Sequence, residues 1–287
     1  MSAVRDKQTS SPSDSQYLRI SDRLSLRYQV SGEGAPLVLL HTIRTQLEYF
    51  RALVPLLAGR FTVITVDLPG HGLSSVDRTA QFDEPYLRRG VIEFLNALDL
   101  SGVTVVGESI GAVLALTVAS EIPDRIKAVY ALNTYDYETR YGDGMRRGNR
   151  FANLIIGSLR WPVVGAIGAA LATPSIIGRI MAGGYADPRK MPVDLIATFH
   201  RAGQNPDFHY AERKVLAGWR SWGAARARYA QVKAPVTLIY GDRDWSRLPE
   251  RERTKGLLKS SRIVTLPNTG HFSSVENPSA IAHILLT

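Results

Sequence analysis

Short apolar runs alternate with segments of helical periodicity over the first half of the chain, and this alternation constrains the fold more than any other feature. Strands that alternate with helices form βαβ units, and right-handed crossovers then place helices on both faces of a parallel sheet. Strand patterns lie at 24–30, 36–40, 61–66, 103–106 and 126–132, and helical spacing of apolar residues lies at 47–57, 84–98 and 110–120.

The alternation stops at about residue 137, and only helical patterns follow up to about residue 230. Strand patterns return at 235–240 and 262–266, ahead of a closing helical pattern at 280–286. We therefore predict an α/β fold with a mostly parallel sheet of about eight strands, flanked by helices and interrupted by a helical insertion. The predicted division is a flexible tail at 1–16, a core at 17–136 and 231–287, and a helical cap at 137–230.

The formal net charge of +9 at pH 7 raises the possibility of a nucleic-acid partner. Most of the excess lies at 134–230, where 14 Lys and Arg residues stand against 7 Asp and Glu residues. This segment contains no compact basic run with interleaved aromatic residues and no nucleic-acid-binding motif. We therefore expect solvated helix faces and no nucleic-acid partner, with attraction of an anionic substrate or lipid surface as the alternative.

The chain has no cysteine, which excludes disulfides, thiolate-ligated metals and thiol catalysis. The polar residues 1–16 lack the apolar region of a secretion signal, so we expect a cytoplasmic protein. Residues 161–178 carry no charge, but a spanning helix needs about 20 such residues. Because Pro162 and Pro174 interrupt the run, we expect two short helices over the site and no stable membrane insertion.

The sequence Gly107-Glu108-Ser109-Ile110-Gly111 matches the G-x-S-x-G pattern between a predicted strand and a predicted helix. A sharp strand-to-helix turn needs glycines beside the serine, because a β-carbon there would meet neighbouring backbone. The turn would hold the Ser109 hydroxyl at the carboxyl edge of the sheet, beside the positive end of a helix dipole. Ser109 is therefore the candidate nucleophile.

A serine needs a base, and the base needs an acid that fixes its tautomer. His271 lies in the loop after the last predicted strand, and Asp244 lies just past the strand at 235–240. The chain order Ser109, Asp244, His271 is that of the α/β hydrolases. Asp136 and Asp242 are the alternative acids, since each also follows a predicted strand.

Five motifs in order carry a resemblance to a known family: LVLLH at 37–41, DLPGHG at 67–72, GESIG at 107–111, YGDRD at 240–244 and NTGH at 268–271. From about Leu18 onward the chain resembles the α/β-hydrolase-fold serine hydrolases of the esterase and lipase type that contain a cap. The resemblance implies Ser109 as nucleophile, His271 as base and Asp244 as acid. It also implies an oxyanion hole formed by the N–H of Ile110 with that of Thr42 or Ile43. Thr42 departs from the His-Gly usual in the family, so the second donor is left open.

The resemblance implies hydrolysis of a hydrophobic carboxylic ester, or a related thioester or lactone, through an acyl-enzyme. The partner of the protein would be a small hydrophobic ester or acyl compound. The cap would line the substrate pocket with Ile155, Val164, Ile167 and Ile177. Alternatives on this fold are a cofactor-free haloperoxidase, a C–C bond hydrolase or an acyltransferase, while a ligand sensor is the non-enzymatic one. Epoxide hydrolases and dehalogenases are disfavoured because those relatives carry aspartate at position 109. No metal-binding motif or phosphate loop occurs in the sequence, so we expect no cofactor.

Overall fold

A computed structural model describes residues 15–158, 161, 173–204 and 206–287. Eight strands form one sheet in the order β1-β2-β4-β3-β5-β6-β7-β8. The pairs from β4 to β8 are parallel, whereas β2 is antiparallel to both β1 and β4. This confirms the predicted mostly parallel sheet of eight strands. The strands are β1 Gln16–Arg19, β2 Ser25–Ser31, β3 Ala35–Leu40, β4 Phe61–Val66, β5 Val103–Glu108, β6 Ile126–Leu132, β7 Val236–Gly241 and β8 Ser261–Leu266.

Helices flank the sheet, as the alternating pattern predicts. Those of the core are α1 Val54–Leu57, α2 Glu84–Ala97, α3 Ile110–Glu121, α10 Leu248–Gly256, α11 Ser273–Glu276 and α12 Pro278–Leu286. Those between β6 and β7 are α4 Asp143–Gly148, α5 Arg150–Ser158, α6 Pro174–Ala182, α7 Val193–Ala202, α8 Pro206–Ala217 and α9 Trp219–Ala224. Short 3₁₀ segments occupy 47–50, 123–125, 188–190 and 225–231.

The centre of the sheet is buried on both faces, which explains its continuous apolar runs. All six residues of β5 are buried, and so are the residues of α3 from Ile110 to Ser120. A helix that is apolar all round must be covered on all sides, and α3 packs against β5, β6 and the 3₁₀ segment at 225–231. The G-x-S-x-G turn between β5 and α3 is therefore held by two fully buried elements of the core.

Three local features differ from the sequence patterns. Strand β1 begins at Gln16, inside the segment expected to be a tail, and its mainly exposed residues lack the alternation that marks a buried face. The segment 47–57 forms a 3₁₀ turn and then α1, which has a proline at its start. Within the helical patterns that precede residue 230, Gly218 separates α8 from α9.

Part of the expected cap lies outside the described residues, including the candidate pocket residues Val164 and Ile167. The second half of the uncharged run begins α6, where the Thr173 hydroxyl accepts a hydrogen bond from the Ile176 N–H. None of the helices in the described ranges is long and apolar enough to cross a bilayer.

Candidate active site

The turn between β5 and α3 holds Ser109 in an unusual backbone conformation, with φ 61° and ψ −116°. A β-carbon at Gly107 would come within 2.0 Å of the Gly111 carbonyl oxygen, and one at Gly111 within 2.2 Å of the Leu40 carbonyl oxygen. Both positions therefore require glycine. The Ser109 side chain does not cap α3, so its hydroxyl is available for another role.

Ser109, His271 and Asp244 meet at the carboxyl edge of the sheet. The His271 Nε2 atom lies 3.0 Å from Ser109 Oγ, and its Nδ1 atom lies 2.5 Å from Asp244 Oδ1. Ser109 is 1% exposed, and the side chains of His271 and Asp244 are 0% exposed. A hydroxyl, an imidazole and a carboxylate in this order can move a proton away from the serine oxygen.

The second oxygen of Asp244 is held by its own partners. Asp244 Oδ2 accepts hydrogen bonds from the Ser246 N–H, at 3.0 Å, and from the Ser246 hydroxyl, and Arg251 lies 4.0 Å away. Burial by itself would raise the pKa of Asp244, but His271, Ser246 and Arg251 together hold that pKa below the usual aspartate value. Asp244 therefore stays ionised beside the imidazole.

The two alternative acids face elsewhere. Asp136 is 2% exposed and accepts a hydrogen bond from the Thr254 hydroxyl at 2.8 Å. Burial raises the pKa of Asp136 to about 6, opposed in part by Thr254 and Arg226. Asp242 is exposed and accepts the Thr269 N–H at 3.2 Å. Of the three carboxylates considered, Asp244 is the one in contact with His271.

The loop after β3 supplies the candidates for the second oxyanion donor. The Thr42 carbonyl accepts hydrogen bonds from His41 Nδ1 at 2.8 Å and from the Thr45 hydroxyl at 2.7 Å. Because a trans peptide points its C=O and N–H in opposite directions, the Ile43 N–H faces away from these two side chains. Ile110 is the first residue of α3, and its N–H precedes the helical hydrogen-bond ladder. The Thr42 hydroxyl is buried with no hydrogen-bond partner among the described residues.

His41 organises this loop. Its Nε2 accepts the Leu68 N–H at 3.0 Å, so its Nδ1 carries the proton given to Thr42. Burial, and then the nearby His71, lower the pKa of His41 well below the usual histidine value. A neutral His41 therefore links the loop after β3 to the segment after β4, as expected for a histidine that holds loops together.

A small apolar cavity of about 30 Å³ opens beside Ile43. Ile177, which is 3% exposed, lines this cavity, whereas Ile155 is half-buried in α5 and is absent from its lining. In the cavity lining, Arg44 forms an ion pair with Glu212 of α8, so the loop after β3 is tied to the helical insertion. The other lining residues are Met145, Ile156, Ile180, Met181 and Leu216.

A larger open cleft of about 800 Å³ lies on the outer side of Asp244 and Trp245. Its cationic side chains outnumber its carboxylates, so part of the basic excess of the chain collects near the site. The charged residues that line it are Arg147, Arg189, Lys190, Arg243, Arg247, Asp187 and Asp244. In the part of the chain that the structure describes, no three His, Asp or Glu side chains are grouped to hold a metal ion.

Two buried polar residues beside the site were not singled out from the sequence. Glu108, the variable residue before Ser109, and Asn133, just after β6, are both 0% exposed. For Glu108, the available sequence signal was its position, a charged residue between a predicted buried strand and a predicted buried helix. A carboxylate there requires hydrogen-bond donors from other segments of the chain. Asn133 carries no comparable signal, since its partners are distant in sequence.

Comparison with known proteins agrees with this architecture. A family model described as the α/β hydrolase fold matches residues 35–153. The chain is 28% identical over 277 residues to an uncharacterised protein of Mycobacterium tuberculosis, covering 90% of this chain and 76% of that one. It is 26% identical over 277 residues to the 2-(acetamidomethylene)succinate hydrolase of Mesorhizobium japonicum, covering 89% of this chain and 88% of that one.

Among solved structures, the epoxide hydrolase CorEH superposes with a TM-score of 0.81 at 21% identity, covering 95% of this chain and 96% of that one. A likeness at this identity concerns the fold alone. The sheet order, the family model over residues 35–153 and the superposition together show that this chain has the α/β-hydrolase fold.

Proposed function

We propose that the protein is a serine hydrolase that cleaves a carboxylic ester, with Ser109 as nucleophile, His271 as base and Asp244 as acid. The observation that carries the proposal is the continuous contact from Ser109 Oγ through the His271 ring to Asp244 Oδ1, at 3.0 and 2.5 Å. The positive φ of Ser109 adds support, because strained backbone of this kind collects at functional sites.

The reaction follows from these roles. Ser109 Oγ attacks the substrate carbonyl carbon while His271 Nε2 takes the hydroxyl proton, and Asp244 stabilises the resulting imidazolium. The N–H groups of Ile110 and Ile43 stabilise the oxyanion of the tetrahedral intermediate. The leaving oxygen takes the proton from His271, and the acyl group stays on Ser109. Water then attacks the acyl-enzyme by the same steps, which releases the acid and restores Ser109.

The apolar residues around Ile177 support an uncharged acyl group as the part of the substrate that contacts them, and the cavity of about 30 Å³ that they line has room for about one methylene. In this proposal the helices between β6 and β7 act as the cap over Ser109, and the protein works in the cytoplasm.

A second candidate is hydrolysis of an amide or C–C bond in a substrate that carries carboxylates. The position of Arg44 in the cavity wall and the basic cleft beside Asp244 favour it, because both would attract an anion. The relative from Mesorhizobium japonicum is named for a substituted succinate, which is such an anion. The ion pair of Arg44 with Glu212 weighs against it, since the guanidinium is already neutralised.

A panel of substrates separates the two candidates. We would measure kcat/KM for p-nitrophenyl esters from acetate to palmitate, beside acyl-CoA thioesters, lactones and N-acylated enamine dicarboxylates. The ester proposal expects the highest kcat/KM among the uncharged esters. Preference for the dicarboxylates would support the second candidate. Failure of a fluorophosphonate to label Ser109 would contradict both, because both require an activated serine.

A further inference from the structure

Glu108 receives hydrogen bonds from three separate segments of the chain. The Tyr49 hydroxyl donates to its Oε2 at 2.8 Å, and the Asn133 amide donates to its Oε1 at 3.1 Å. Ser273 donates to Oε1 from both its N–H and its hydroxyl, each at 2.6 Å, and the Ser274 N–H lies 3.2 Å from Oε2. The side chain immediately before the nucleophile is thus held by the segments after β3, β6 and β8.

Asn133 extends the same cluster to the base and to the strand of the acid. Its amide nitrogen lies 2.9 Å from the His271 carbonyl oxygen and 3.0 Å from the Ser273 hydroxyl. Its Oδ1 accepts the Gly241 N–H at 3.0 Å, at the end of the strand that leads to Asp244. Asn133 has a positive φ of 47°, a conformation that asparagine tolerates better than most residues.

We propose that Glu108 and Asn133 are positioning residues that hold His271 and Asp244 in register with Ser109. This inference rests on the proposed function, because it assigns a role relative to that triad. Each of the three candidate catalytic residues lies in a loop at a separate strand end, and the backbone ladder of the sheet stops before those loops. The cluster continues the cross-strand connection beyond the sheet: from the residue before Ser109, through Asn133, to His271 and Gly241.

The chemistry of the cluster explains why polar residues occupy the position. A buried carboxylate without donors is strongly unfavourable, so Glu108 stabilises the fold only when all its partner segments are in place. Small displacements of reacting groups lower rates steeply, by about a hundredfold for 1 Å. The hydrogen bonds of this cluster can all form in only one arrangement of the segments. The cluster can therefore keep the Ser109 hydroxyl aligned with the His271 imidazole.

The test compares steady-state kinetics of Glu108→Gln with the wild-type protein on its best ester. Glutamine has nearly the same shape as glutamate. Its NH₂ group, however, would face the donors that now point at Glu108 and could not accept hydrogen bonds from them. We expect kcat to fall roughly tenfold or more while KM changes little, because the substrate contacts are unaltered. The low-field proton signal of the His271–Asp244 hydrogen bond should broaden or shift as well, which loss of stability alone does not produce.

Glu84→Gln is the matched control. Glu84 is also a buried carboxylate, 2% exposed, but its partners are Arg88 on the same helix α2 and Thr117, which lies eight residues after Ser109 in α3. This variant should lose stability and keep the kcat of the wild type. If Glu108→Gln retains kcat within twofold and the same low-field signal, the inference is wrong.

Two milder variants decide the matter if Glu108→Gln does not fold. Tyr49→Phe and Ser273→Ala each remove one hydroxyl donor to Glu108, and each should lower kcat. Their effects should combine less than multiplicatively, because both act through one side chain. Multiplicative effects, or none, would overturn the inference. A wild-type protein that fluorophosphonate does not label would instead refute the proposed function, and with it the role assigned here.

Discussion

The Trp245 indole lies flat on the His271 imidazole, with ring centroids 3.9 Å apart and planes inclined by 16°. The indole N–H donates to the Gly183 carbonyl at 2.9 Å, which fixes the orientation of the ring. Because Trp245 follows Asp244 directly, one short segment supplies both the hydrogen bond and the stacking surface for the imidazole. The candidate acid and the face of the candidate base are therefore set by the same loop after β7.

Replacement of Ser109 by alanine should abolish turnover. Removing a triad nucleophile lowers kcat by several orders of magnitude, and only the contribution of binding and of the oxyanion donors remains. The measurement is kcat on the best ester, with circular dichroism as the control for folding. Activity above about a hundredth of the wild-type value would contradict the assignment.

Asp244→Asn should lose most of the activity, because an amide cannot hold the imidazole tautomer and stabilise its cation, a loss of about 10⁴-fold in a known triad. Asp136→Asn and Asp242→Asn are the matched controls and should keep most of it, since Thr254 and Thr269 are the partners of those carboxylates. The comparison is of kcat for the three variants. An inactive Asp136→Asn variant that remains folded would move the acid to the segment after β6.

Asp136→Asn should also change how stability depends on pH. The folded-state pKa of Asp136 is raised by burial to about 6, from an ordinary value of 3.8. Its protonated form therefore favours folding below about pH 4, and this contribution is lost as pH rises through about 6. The asparagine variant has no carboxyl group to titrate at this position. Relative to that of the wild type, its free energy of unfolding should therefore rise by up to roughly 3 kcal/mol between pH 4 and pH 8. Urea denaturation of both proteins at pH 4 and pH 8 measures this change. If the difference in free energy of unfolding between variant and wild type is the same at both pH values, the raised pKa is refuted.

Glu212→Gln should destabilise the protein by about 1–3 kcal/mol at pH 7, because it leaves the Arg44 guanidinium without its buried partner. Burial would raise the pKa of Glu212, but Arg44 and His209 hold it below the usual glutamate value. The stabilisation is therefore present above about pH 4.5 and disappears as pH falls through the lowered pKa. Denaturation at pH 7 and pH 3 tests this sign.

Asp194→Asn provides the comparison for that ion pair. Asp194 also joins the insertion to the segment after β3, through Arg51, but both side chains are largely exposed. Exposed pairs contribute little, so this variant should match the wild type within about 0.5 kcal/mol. Equal losses for Glu212→Gln and Asp194→Asn would mean that burial of the first pair is unimportant.

Ile177→Asp should blunt the preference for longer acyl chains. Each added methylene that is buried against the apolar residues around Ile177 contributes about 0.8 kcal/mol, close to fourfold in kcat/KM. The variant places a carboxylate in the apolar lining and should flatten that rise, while acetyl esters are less affected. Val193→Asp is the control, because Val193 is 79% exposed. A wild-type protein indifferent to chain length would exclude the acyl-pocket role of Ile177.

The described core was largely predictable because its signals are local. The apolar runs of β3, β4, β5 and β6 reflect burial on both faces, and burial of this kind is visible in composition alone. The G-x-S-x-G pattern is also visible in the sequence, but only Gly107 is required by the turn itself, where a β-carbon would lie 2.0 Å from the Gly111 carbonyl oxygen. Gly111 is required by the neighbouring strand β3, whose Leu40 carbonyl oxygen would lie 2.2 Å from a β-carbon. The exposed edge strand β1 carries no such signal, and the sequence pattern missed it.

The sequence by itself determined the fold class and the order of Ser109, Asp244 and His271 along the chain. Asp136, Asp242 and Asp244 all follow strands, and the resemblance to the α/β hydrolases favoured Asp244 as the acid. The tertiary structure places Asp244 against the imidazole and gives the other two carboxylates different partners. It also decided the partners of Glu108 and the pairing of Arg44 with Glu212, which joins residues 168 positions apart. Such contacts depend on how strand ends and helices meet in space. The identities of residues adjacent in sequence do not encode which distant segments come into contact.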